Sequence, residues 1–225
     1  MTATIDLRVS RKSVQQETVE KLRGAILSGV FTPGIRLVEA DLCNSLGVSR
    51  PLLREALRSL QAERLIDIVP NRGPQVSRLS WREAEEIYEV RELLEGEAAA
   101  RCAGMIANDD LEDLAANLEA FRRASRSSET AGEQISTTSG FFAIILRNCG
   151  NKIIEETLTG LQARVNFLRA RSMSLPGRAK QSYVEMSAIC AAITARDTRQ
   201  ARKAAQEHVI NARNAAKQAF EAARD

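Results

Sequence analysis

Apolar side chains recur along most of this chain with the period of about 3.6 residues that marks one face of a helix. From Ser13 to Gly29, Val19, Leu22, Ile26 and Val30 fall at that spacing, and "FTPG" (31–34) predicts the stop. A short helix is predicted over Glu39–Leu46, with Leu42 and Leu46 inward and Gly47 suited to a left-handed exit. Ser49 fits as N-cap of the next helix, Arg50 to about Glu63, and Pro51 falls in its first turn, where a missing N–H costs little. Leu53, Leu57 and Leu60 form its apolar stripe. "LIDIV" (65–69) and "PQVSRL" (74–79) have strand character and predict a hairpin across "PNRG", with Gly73 supplying turn freedom. Three helices closed by a two-stranded wing make a winged helix-turn-helix over residues 1–79.

After Ser80, an N-cap candidate, the texture changes. Residues 81–225 contain one proline, Pro176, and no convincing strand. Helices are predicted at 81–104, 108–127, 130–148, 151–173, 177–196 and 198–223. The breaks fall at 107–109, "SSETAG" (127–132), 148–151, 174–177 and 196–198. Such short connections predict antiparallel neighbours. The expected fold is therefore mainly α: an N-terminal winged helix-turn-helix followed, over residues 80–225, by an all-helical antiparallel bundle.

Composition agrees, since only 4% of residues are aromatic while Ala, Leu, Arg and Glu abound. No apolar run approaches the ~20 residues that span a bilayer. The first 20 residues lack the apolar core of a secretion signal, so a cytoplasmic protein with no membrane partner is expected. The formal charge of +3 is unevenly spread. Residues 1–78 hold 12 Lys and Arg against 8 Asp and Glu, and residues 79–225 hold 20 against 21. An excess confined to one end suits a chain whose first third meets a polyanion. Cys43, Cys102, Cys149 and Cys190 form no C-x-x-C pair and read as small buried apolar side chains. No nucleophile–base pair, carboxylate dyad or phosphate-binding glycine loop stands out, so no enzyme is expected.

Arg50, Arg54 and Arg58 recur every four residues in "LGVSRPLLREALRSLQAERLI" (46–66). Each step advances about 40° beyond one turn, which leaves a slanting basic stripe beside the leucines. Alone, the stripe fits an ordinary solvated face. Between a tight turn and a wing, it fits the second helix of a helix-turn-helix, which enters the major groove N-terminus first. Arginine suits bidentate contact with guanine or phosphate oxygens.

In this context the N-terminal segment resembles the GntR family of bacterial transcription regulators. The matching residues are "PGIRL" (33–37), Leu42, Leu46-Gly47-Val48-Ser49-Arg50, "REAL" (54–57) and the wing "NRG" (71–73). The resemblance implies a double-stranded DNA operator contacted by Ser49, Arg50, Arg54 and Gly73. Arg58 continues the stripe, and Asn71 and Arg72 are wing candidates for the minor groove or backbone. Two positions depart from the family: "PLL" (51–53) replaces the usual "TPV", and Arg64 stands where a glycine is usual.

The remainder resembles the FCD effector-binding domain of the FadR-type subfamily, through "IYEVRELLEGEAAA" (87–100), Gly150-Asn151, "AITARD" (192–197) and His208. That resemblance implies a homodimer on a palindromic operator and a small-molecule effector in the bundle. Many such domains hold a divalent metal with one Asp and three His. Here those positions carry Thr138, Phe142, Met186 and His208, so neither a metal nor another cofactor is expected. Either the pocket is drier and suited to an organic-acid or acyl-type effector, or packing fills it and the bundle serves dimerisation alone. Candidate effector residues are Arg91, Thr138, Phe142, Met186 and His208. Arg91 either pairs with Glu95 one turn on or holds a ligand carboxylate. Arg164, Asn166 and Arg169 are secondary candidates whose helix face the pattern leaves open.

Overall fold

A computed structural model describes residues 14–126 and 131–222. It divides into two compact units between Ser77 and Arg78. The first contains α1 (Val14–Leu27), α2 (Glu39–Leu46), α3 (Arg50–Ala62), β1 (Ile66–Val69) and β2 (Gly73–Val76). Val19, Leu22 and Ile26 of α1, Leu42 of α2 and Leu53, Leu57 and Leu60 of α3 are buried in its core, with Ile66 and Val76 of the strands. Val30 is not. The chain leaves the helix through Gly29, at φ 80°, and Val30 is 69% exposed. Leu46 is only half-buried. The predicted start at Ser13 lies outside the described residues.

Gly47 takes the left-handed conformation, φ 66°, and its N–H donates to the Cys43 carbonyl, closing α2. Ser49 is extended and precedes α3, as an N-cap should, but its hydroxyl makes no cap hydrogen bond. Arg23 of α1 grips Glu63 at the far end of α3 (Nε–Oε2 2.8 Å), which fixes the angle of α3 from behind.

The hairpin is antiparallel, with Ile66 opposite Val76 and Val69 opposite Gly73. Its second strand is shorter than the 74–79 pattern: the Ser77 N–H still bonds in register to the Leu65 carbonyl, but the Leu65 N–H turns back to the Leu60 carbonyl and the pairing ends there. The other edge of β2 is covered by the 34–37 segment, through Gly34 N–H to the Val76 carbonyl and Leu37 N–H to the Pro74 carbonyl, both 2.8 Å. Arg36 and Gln75 form a bridge there.

Arg64 has φ 57°, a left-handed conformation that is costly for any residue with a Cβ. Arg64→Gly is expected to raise the unfolding free energy by about 0.5–1 kcal/mol, the relieved strain exceeding the extra flexibility of the unfolded chain. Urea unfolding checks this, and a loss of stability would mean that the arginine side chain holds the wing.

The second unit contains α4 (Trp81–Met105), α5 (Asn108–Ala124), α6 (Ala131–Arg147), α7 (Lys152–Met173), α8 (Arg178–Thr194) and α9 (Thr198–Ala222). Of the predicted break at 127–132, residues 127–130 lie outside the described residues, and residues 131 and 132 already belong to α6. Ser80 and Glu83 form a reciprocal capping box that starts α4. α4 packs along α9, and both are rich in buried alanine, which lets helices approach closely at little entropic cost. At Gly96 a Cβ would lie 2.7 Å from Cγ of Gln206, so any larger residue there would have to displace that side chain of α9.

Phe121, Phe141, Phe142, Met186, Ile189 and Ile193 share one apolar cluster, and Ile87, Tyr88, Leu168 and Val209 share another. Three cysteines are buried as expected, and burial pushes the Cys102 thiol up to about 12. Cys43 departs from that expectation and is only half-buried. Among the described residues, no helix is long and apolar enough to cross a membrane.

Candidate functional site

The leucine stripe of α3 is sunk in the core, so the opposite side of the helix is held outward. Arg50, Arg54 and Arg58 are all exposed there and line one open groove with Gln15, Pro51, Leu52 and Glu55. Their guanidinium groups are not equivalent. Arg54 reaches across to α2, where Glu39 Oε2 lies 3.1 Å from its Nη2, and Arg58 pairs with Glu55 one turn back. Arg50, at the N-terminal end, pairs with no carboxylate among the described residues. The exposed Ser49 beside it keeps a free cap oxygen. At the wing tip, Asn71 and Gly73 both have positive φ, 62° and 83°, and the Arg72 N–H closes the turn onto the Val69 carbonyl. The side chains of Asn71 and Arg72 are exposed.

The helical unit buries charge. Arg91 is fully enclosed, and its Nε donates to Glu95 Oε1 at 2.6 Å. The ion pair weighed for these two residues is therefore present. Arg91 Nη1 and the hydroxyl of Tyr88, whose ring lies 5.1 Å from the guanidinium carbon, are buried close to each other, and neither finds a partner at full hydrogen-bond geometry among the described residues.

Nearby, Glu185 accepts from both terminal nitrogens of Arg178, each at 2.9 Å, and from Nδ1 of His208 at 2.7 Å. Burial by itself would raise the Glu185 carboxyl, but the hydrogen bonds from His208 and Arg178 outweigh it and hold the group at about 2. Burial lowers the His208 pKa against the pull of Glu185, so the ring is neutral and donates its Nδ1 proton.

Of the candidate effector residues, the structure brings Phe142 and His208 together as stacked rings, with centroids 5.4 Å apart. Phe142 also lies under Arg169, 5.2 Å from the guanidinium carbon. Met186 is buried in the same cluster as Phe142. Thr138 is buried with its hydroxyl donated to the Gln134 carbonyl at 2.7 Å. The pattern reading missed Arg178 and Glu185. Their signal was available: Arg178, Ser182, Glu185 and Ile189 recur at helical spacing on the buried face of α8.

Both pKa values are depressed, so each group contributes stability that is complete above its ordinary value and fades as pH falls. Unfolding should ease below 6.5, where an unfolded His208 takes up a proton, and again below 4.5 as Glu185 is forced toward protonation near 2. His208→Gln, which can still donate to Glu185, is expected to remove the first step and keep the second. Melting curves at successive pH values check this, and an unchanged first step would contradict it.

The profile of the FCD domain matches residues 86–211, and that of the bacterial regulatory proteins, gntR family, matches residues 14–76. The chain belongs to the GntR family, with an FCD domain as its helical unit. It is a DNA-binding transcription regulator and not an enzyme.

Over 82 residues this GntR regulator is 43% identical to an uncharacterised HTH-type regulator of Agrobacterium vitis. That match takes in 36% of this chain and 48% of the relative, so it spans about half the relative's length. Longer matches are to the uncharacterised regulator YdhC of Bacillus subtilis, 26% identical over 84% of this chain and 83% of that one, and to the Escherichia coli repressor GlaR, 26% identical over 84% and 89%. Among solved structures, E. coli McbR/YncC has the same fold, with a TM-score of 0.80 at 23% identity over 93% of this chain and 100% of that one.

The resemblance to metal-holding FCD domains implies ligand positions at Thr138, Phe142, Met186 and His208, and the residues there do not fit a divalent metal. Phe142 has no lone pair to give, the Met186 thioether is soft, and the Thr138 hydroxyl is a weak neutral donor already turned to the Gln134 carbonyl, which leaves His208, through Nε2, as a lone ligand. Among the described residues, no group of three His, Cys, Asp or Glu is placed to hold an ion.

Proposed function

We propose that this GntR regulator binds a palindromic operator as a homodimer and that a small organic-acid or acyl-type effector in its FCD domain changes that binding without a metal. The observation that carries the DNA half is the arginine face of α3, held outward by its buried leucines, with Arg50 unpaired and Arg54 braced by Glu39. In this reading α3 enters the major groove, Ser49, Arg50 and Arg54 reach base edges, and Arg58, Asn71, Arg72 and Gly73 meet the backbone or minor groove. Two-fold symmetry of the dimer matches two half-sites.

The effector half is supported by the unsatisfied polar atoms of Arg91 and Tyr88 inside the bundle. Most buried polar atoms in proteins are satisfied, and an exception inside a sensor domain fits a place for a ligand. Arg91, Phe142 and His208 then border the ligand, with Thr138 and Met186 shaping the wall.

A second reading, in which packing fills the pocket and the domain serves dimerisation alone, is favoured by one feature. The space among Glu95, Phe142, Leu146, Leu158, Gln162, Val165 and Arg169 is only about 10 Å³, the room of one water molecule. Operator titrations with and without a panel of carboxylic acids and acyl compounds separate the two. An effector acts only by differential affinity for the DNA-competent and incompetent arrangements. We expect at least one acid to shift operator affinity, and constant affinity across the panel would leave the second reading standing.

A further inference from the structure

We propose that Arg169 is the anchor for the effector's anionic group, and that the effector carries a single negative charge with an apolar tail lodged between α6 and α7. The proposal rests on the effector reading above and gives it a chemistry. Charge balance carries it. Among its described residues the FCD domain buries three guanidinium groups, those of Arg91, Arg169 and Arg178, and two carboxylates, those of Glu95 and Glu185. Glu95 is taken by Arg91 and Glu185 by Arg178, with His208 neutral beside it. Arg169 makes no ion pair of its own: among the described residues its hydrogen-bond partners are the Ser139 hydroxyl at 3.2 Å and the Asn166 amide oxygen at 3.1 Å, both neutral, and the one carboxylate whose charge it feels, Glu95, is already held by Arg91.

Burial, and then the neighbouring Arg91, lower the Arg169 pKa to about 10, which still leaves it a cation at neutral pH. Two guanidinium groups sharing one buried carboxylate are costly, and a core with nothing to bind would be better served by an apolar side chain of similar size in place of Arg169. One ligand carboxylate supplies the missing charge in the bidentate geometry that guanidinium favours. A dianion would bring a second negative charge into an interior that has no cation left for it, and in which Glu95 already stands.

The surroundings fit the rest of such a ligand. Gln162 shares the Ser139 hydroxyl and the Asn166 oxygen with Arg169, each at 3.0 Å, so a small polar cradle sits at one end of the cavity. Leu146, Leu158, Val165 and Phe142 form the remaining wall. The present space is smaller than a carboxylate, so a ligand enters only by parting α6 from α7. That requirement makes the ligand selective between two arrangements of the bundle, as an effector must be.

The test uses the full chain and defined probes: butyrate, hexanoate and octanoate as monoanions, adipate as a dianion, hexanol as a neutral chain. Calorimetry and thermal melting read the binding. We expect hexanoate and octanoate to bind and to raise the melting temperature, with adipate and hexanol inert. Arg169→Met is expected to weaken hexanoate on the order of 10–100-fold and to melt above the wild type without ligand. Arg169→Lys should keep part of the binding.

Absence of binding by every monoanion, a preference for adipate, or undiminished hexanoate binding by Arg169→Met each overturns the proposal. So does a ligand-free Arg169→Met protein less stable than the wild type, which would make Arg169 a structural residue. A different result, operator affinity unmoved by any compound that does bind, defeats the effector reading itself.

Discussion

Glu185→Leu is expected to destabilise the FCD domain by about 3–5 kcal/mol, the cost of stranding a buried charge. Among the described residues the carboxylate is the single acceptor for both terminal nitrogens of Arg178 and for the His208 ring. Its removal leaves a guanidinium with no counter-charge in a dry interior, where its third nitrogen, Nε, is already without a partner. Replacing the whole triad, with Arg178→Met, Glu185→Leu and His208→Phe together, should recover most of the loss, because an apolar core needs no pairing. Urea unfolding followed by circular dichroism measures both. A Glu185→Leu loss below about 1 kcal/mol, the worth of an exposed ion pair, would show that water reaches the triad.

The second large effect is expected at the other end of the chain. Arg50→Ala and Arg54→Ala should each weaken operator binding by about 1–3 kcal/mol and relax the preference for the operator over scrambled DNA. Protein stability should barely move, since Arg50 pairs with no described carboxylate and the Arg54–Glu39 pair is solvent-exposed, where such pairs contribute about 0–1 kcal/mol. Arg58→Ala, whose charge lies furthest from the N-terminus of α3 and pairs locally with Glu55, should weaken operator and scrambled DNA alike. Filter binding or fluorescence anisotropy at several salt concentrations separates these roles. Equal loss on both DNAs for Arg50→Ala and Arg54→Ala would reduce them to phosphate contacts.

Much of the first unit was legible because its signals are local. The leucines of α3, the glycine at 47 and the proline at 51 each act within one turn of the chain, and the structure places them as their physics requires. The 34–37 segment was not legible as a partner of β2, because Arg36 meets Gln75 across a separation that no periodicity records. Val30 continued the helical pattern of α1 and is nonetheless exposed, since Gly29 had already turned the chain away. In the FCD domain the residue types at 138, 142 and 186 were enough to argue against a metal, since that argument needs no fold. The charge network could not, because it joins α4, α7, α8 and α9, and only the fold puts His208 against Glu185. Arg169 shows the limit most clearly: residues are buried around much of α7, so no stripe marked the side it faces.

The most direct test of the whole account is to select fragments of the source genome with the purified protein and sequence them, beside the Arg50→Ala, Arg54→Ala double variant. The account predicts a two-fold symmetric motif enriched by the wild type and absent from the fragments kept by the variant. The same motif recovered by both proteins would contradict the claim that the arginine face of α3 reads DNA.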